Sequence, residues 1–108
     1  MEPKAMTEFV QVGQTSEVLE GKMKTVQVMG NQVCLANVGG SYHAIGNICT
    51  HTHCPLAQGL LKDYLVTCPC HGSQFDVRTG EVKRGPAMTP EPVFDVKLEG
   101  TTILLRKK

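Results

Sequence analysis

Two short cysteine–histidine pairs constrain this chain more than any other feature: Cys49-x-His51 and Cys68-x-x-His71, with sixteen residues (52 to 67) between them. Whatever the chain folds into must bring those two loops together. Two thiolates and two imidazoles form a mixed sulfur–nitrogen set, which suits zinc or an iron–sulfur cluster. In a two-iron cluster the thiolates would hold one iron and the imidazoles the other, a ligand set whose reduction potential lies above the all-cysteine case. The reason is charge. Neutral imidazoles in place of two anionic thiolates leave the oxidised site less repulsive toward an added electron.

The surrounding residues narrow the choice. The segment CTHTHCPLAQGLLKDYLVTCPCHGSQF, residues 49 to 75, places Gly72 after the second pair and an aromatic at Phe75. In this it resembles the Rieske [2Fe–2S] proteins, and the likeness runs from about Phe9 to Leu105. A Cys2His2 zinc site would not require Pro69, Gly72 and Ser73 at their places. The resemblance implies one [2Fe–2S] cluster per chain, with Cys49 and Cys68 on one iron and His51 and His71 on the other through Nδ1. It further implies a Cys54–Cys70 disulfide tying the cluster loops, as in respiratory-type members. Gly85-Pro86-Ala87 would cover the cluster from a third side, and Ser73 would donate a hydrogen bond to a cluster sulfide.

Departures from that pattern carry information. High-potential members have a tyrosine where this chain has Phe75. A lost hydrogen bond to a charged group, on the order of 1.5–3 kcal/mol, lowers the expected potential by roughly 60–130 mV. Thr52 replaces the usual shielding leucine. His53 stands where glycine is common, and reads as a surface histidine beside the site.

The rest of the chain supports one small domain. Its 108 residues include three Phe, two Tyr and no Trp, so aliphatic side chains must build the core. The formal net charge of +1, with acids and bases interspersed, offers no basic stripe for nucleic acid. The N-terminal MEPKAMTEFVQVG has no apolar secretory core, and no run is long enough to span a bilayer. A cytoplasmic location is therefore expected. Five cysteines leave at least one without an intramolecular disulfide partner; Cys34, in QVCLANV, reads as a buried strand residue. His43 reads as an ordinary strand residue, and Lys62, Lys83 and Arg84 as solvated surface.

Alternation at residues 9–12, 23–28, 32–38 and 42–45, punctuated by Gly30 and Gly39-Gly40, predicts short strands. Residues 15–21 read as a polar connection, too poor in apolar residues for a helix. Residues 60–62 and 64–67 straddle Asp63 as a hairpin; strands follow at 75–77, 81–82, 94–98 and 102–105. The fold class expected is all-β: the Rieske fold, an antiparallel sandwich or barrel base formed by about 7–46 and 88–107. A small cluster-binding subdomain, about 47–87, would be inserted in it. With no flavin or nicotinamide fingerprint and no mononuclear iron site, the chain reads as an electron carrier, not an enzyme. The expected partners are a reductase donor and a terminal oxidoreductase acceptor such as a non-haem iron oxygenase, with the chain a monomer. The alternative is the Rieske subunit of a respiratory or oxidase complex lacking its anchor.

Overall fold

The computed structural model describes residues 9–50, 53–70, 72–85 and 87–107. Among the described residues, ten strands form two antiparallel sheets: β1 (Val10–Gln14), β2 (Met23–Val28), β3 (Asn31–Val38), β4 (Ser41–Gly46), β5 (Leu60–Lys62), β6 (Leu65–Thr67), β7 (Gln74–Asp76), β8 (Val82–Arg84), β9 (Val93–Glu99) and β10 (Thr102–Lys107). The larger sheet has the order β1-β10-β9-β4-β3-β2, and its two edges, β1 and β2, come back into contact, so it curls toward a barrel. The smaller sheet, β5-β6-β7-β8, takes all its strands from residues 60 to 84.

Strand β3 explains why the two sheets stack. A strand points successive side chains to opposite faces. Val33 and Leu35 enter the interior of the large sheet with Val26, Phe94, Ile103 and Leu105, while Cys34 and Ala36 face the other way. There they meet Ile45, Leu56, Val66, Phe75 and Val77, which form the layer between the sheets. Burial on both faces is why VCLA, residues 33–36, reads as a continuous apolar run. Cys34 is thus the buried strand residue expected, its Sγ 3.6 Å from Met23 Sδ. Burial, with Glu91 nearby, pushes its thiol pKa up to about 12, so it is unreactive at neutral pH.

Turn chemistry sets the registers. Asp63, at φ 52, opens the two-residue turn between β5 and β6, and Gly80, at φ 77, closes the loop after β7. Asp76 braces that second loop. Its carboxylate accepts the Arg78 backbone N–H at 2.8 Å and two guanidinium bonds at 3.1 and 2.9 Å. The same guanidinium lies 4.0 Å over the Tyr64 ring, which His43 meets edge-on. His43 is therefore a packing residue between the sheets.

Two expectations need adjustment. The connection after β1 contains a 3-10 turn, Thr15–Glu17, and drops Val18 into the core. The stripe Phe94, Val96, Leu98 is not uniformly inward: Phe94 is buried, but Leu98 is 46 % exposed, where β9 has continued beyond its pairing with β4. Among the described residues no helix is long and apolar enough to cross a membrane.

Candidate metal centre

The two cluster loops are built to one plan. In the first, Cys49 N–H donates to the Cys54 carbonyl at 2.9 Å, and the Cys49 carbonyl accepts His53 N–H at 2.9 Å. In the second, Cys68 N–H donates to the Ser73 carbonyl at 2.8 Å, and the Cys68 carbonyl accepts Gly72 N–H at 3.2 Å. Each cysteine therefore begins a knuckle whose fifth residue turns left-handed: His53 at φ 61 and Gly72 at φ 78. Glycine enters that region without strain, which accounts for Gly72; His53 occupies the equivalent place against its preference. His53 is exposed, as expected for a histidine beside the site.

Asn47 holds the first knuckle to the barrel, and nothing in the sequence pattern singled it out as more than the loop's first residue. It is fully buried. Its N–H donates to the Gln32 carbonyl at 3.1 Å, its carbonyl accepts Leu56 N–H at 2.7 Å, and its Oδ1 accepts Ala57 N–H at 2.9 Å. A second 3-10 turn, Leu56–Gln58, follows, with Leu56 in the layer between the sheets. An Asn just ahead of a Cys-x-His pair is the only signal that could have marked this hub.

A disulfide between Cys54 and Cys70, Cα atoms 6.4 Å apart, joins the knuckles. The sulfur atoms of Cys54, Cys68 and Cys70 lie within 4.8 Å of one another. Since the disulfide uses two of them, this trio is the seam between the knuckles rather than a cation site. Cys49 and Cys68, both buried, lie outside that bridge. Ser73 is fully buried, and its Oγ accepts Ala87 N–H at 3.0 Å. The hydroxyl proton is thus left to donate elsewhere, and the segment after β8 is pinned to the second knuckle. Phe75 is also fully buried, packed in the layer below. His51, Thr52, His71 and Pro86 lie outside the described residues. The donor chemistry fits a cluster: two buried thiols on matching, cross-linked turns, each at the head of a sequence that supplies a histidine.

Residues 8–102 match the family model of the Rieske [2Fe-2S] domain. The chain belongs to this family. It accordingly binds a [2Fe–2S] cluster and acts as an electron carrier rather than a catalyst. It is 35% identical over 91 residues to the ferredoxin component of biphenyl 2,3-dioxygenase from Rhodococcus jostii, covering 84% of this chain and 85% of that protein. It is 36% identical over 96 residues to the cytochrome b6-f complex iron-sulfur subunit of Chlorobaculum thiosulfatiphilum. That match covers 89% of this chain but only about half, 52%, of the subunit. The ferredoxin of carbazole 1,9a-dioxygenase from Nocardioides aromaticivorans superposes with a TM-score of 0.90 at 32% identity, over 94% of this chain and all of that one. A ferredoxin solved in complex with its oxygenase, also of carbazole 1,9a-dioxygenase, gives 0.87 at 28% identity over 93% and 95% of the two chains.

Proposed function

We propose that this Rieske protein is the ferredoxin of a multicomponent oxygenase, taking one electron at a time from a reductase and delivering it to a terminal non-haem iron oxygenase. The bound cluster supplies a reversible one-electron store. Cys49 and Cys68 would hold one iron of the cluster, and His51 and His71 the other. The disulfide and the Asn47 bonds keep the two knuckles at fixed separation, which limits reorganisation when charge changes. Ser73, which accepts Ala87 N–H, would have its hydroxyl proton free to donate to a cluster sulfide. Residues 47–87 act as the cluster-binding subdomain on a β base, 7–46 and 88–107, in a cytoplasmic monomer.

The observation that carries this reading is the pair of matching knuckles with buried thiols, in a frame that superposes over 94% of this chain on a dioxygenase ferredoxin. The test is spectroscopic and then kinetic. The iron-loaded chain should be red-brown, with a paramagnetic signal on reduction that disappears in His51→Ala or His71→Ala, and should transfer that electron to a terminal oxygenase. A colourless, zinc-loaded protein would sink the assignment.

The Cys54–Cys70 bridge favours a second reading, a subunit of a respiratory or oxidase complex. A quinol-oxidising role demands a high potential. Phe75 predicts an intermediate one, so a redox titration separates the two.

A further inference from the structure

Glu91 is only 4 % exposed, on the connection between β8 and β9 where the two sheets meet. Its carboxylate lies toward the backbone N–H of Thr50, the residue between Cys49 and His51, whose pull offsets part of the burial penalty. Thr50 Oγ1 donates to the Thr89 carbonyl at 2.6 Å, so one short segment grips the first knuckle twice at the same residue. The segment itself is wedged in place. Glu91 N–H donates to the Gly80 carbonyl at 2.9 Å, and Gly46 N–H donates to the Pro92 carbonyl at 2.9 Å. A Cβ on Gly46 would sit 2.6 Å from Glu91 Oε1, and one on Gly80 would collide with the Glu91 carbonyl oxygen. Both neighbours are bare backbone because this residue occupies the space.

The other carboxylate oxygen, Oε2, has no hydrogen-bond partner among the described residues. Beside it lies a cavity of about 330 Å³ that Cys49 also lines. Among the described residues, the charged or titratable groups that line this cavity with Glu91 are Cys49 and His53 on the first knuckle and Lys107 on β10, and Cys34 on β3 lies near enough to interact with its charge. Burial raises the Glu91 pKa to about 7, so the group ionises within the working range of a protein. A buried charge is screened far less than one in water, and an anion behind the Cys49 loop opposes the arrival of an electron there.

We propose that Glu91 is a positioning residue of the cluster, which holds the Cys49–His51 knuckle through the Thr50 amide and lowers the reduction potential with its negative charge. The proposal rests on the ligand assignment above. Its test uses the iron-loaded full chain at about pH 8, where the carboxyl is mostly ionised.

Glu91→Gln keeps the shape and the acceptor but removes the charge. The reduction equilibrium should shift about threefold or more toward the reduced form, about 28 mV for one electron, with the paramagnetic signature unchanged. Glu91→Asp keeps the charge but shortens the reach. Its potential should stay at the wild-type value, while cluster loss to a chelator becomes about fivefold faster. A wild-type potential in E91Q, or a wild-type rate of loss in E91D, overturns the proposal. Should E91Q shed its cluster before titration, the rate in E91D decides. An iron-free wild-type chain would instead remove the ligand assignment.

Discussion

His53 holds a left-handed backbone at the fifth position of the first knuckle, where the second knuckle has Gly72. A non-glycine residue in that region costs on the order of 1–2 kcal/mol, partly offset by glycine's greater freedom in the unfolded chain. His53→Gly should therefore stabilise the protein by about 1 kcal/mol without changing the visible spectrum, as thermal unfolding would report. Asp76 is the opposite case, a buried carboxylate whose bonds hold a loop together. The Arg78 guanidinium and amide hold its pKa below the ordinary 3.8 despite its burial. A depressed folded-state value means stability present above the unfolded value and lost as pH falls through the folded one. Asp76→Asn should cost about 1–3 kcal/mol near neutrality and progressively less below pH 3.8, in denaturant titrations across pH.

At the scale of elements, the knuckles depend on one another. Neither packs much apolar side chain: the first has Leu56 beneath it, the second rests on Phe75. The Cys54–Cys70 bridge, which closes a sequence separation of 16, supplies what packing does not. For a loop of that size the chain-entropy account gives about 3 kcal/mol. Replacing both cysteines by serine should lower stability by up to that amount and speed cluster loss. The spectrum of freshly loaded protein should stay the same, since neither sulfur is assigned to iron. An altered spectrum on loading would mean that the bridge shapes the ligand geometry itself.

Across the whole molecule, two buried carboxyls with opposite shifts set the pH range of stability. Asp76 strengthens the fold as pH rises through its titration. Glu91, raised from 4.5 to about 7, works the other way: the stability is fully present below 4.5 and is lost as pH rises through about 7. Calorimetry from about pH 4 to about pH 8 should show the Glu91 loss as a falling limb, set against the gain from His43, whose burial-lowered pKa strengthens the fold as pH rises. Glu91→Gln should flatten the limb above 4.5.

Much of this was legible in the amino-acid order, because the informative signals are local. Alternating apolar residues and glycine turns marked most of the strands, since side-chain period and left-handed backbone are properties of adjacent residues. The Cys-x-His and Cys-x-x-His spacing marked the cluster loops for the same reason. Bounds moved by a residue or two, as at β8, which runs to Arg84 because pairing with β7 continues past the apolar pattern. What spacing could not reveal were groups brought near the centre only by folding: Asn47 bonded to Gln32 across strands, Ser73 to Ala87, and above all Glu91 beneath Thr50. A glutamate between two prolines reads as surface. Its burial is decided by two distant glycines, Gly46 and Gly80, whose bare backbones close around it only when the sheets meet. The chain's order alone thus pointed to the cluster and to the all-β frame. The surroundings that hold the centre and set its charge arise from contacts dozens of residues apart, which only the tertiary structure could decide.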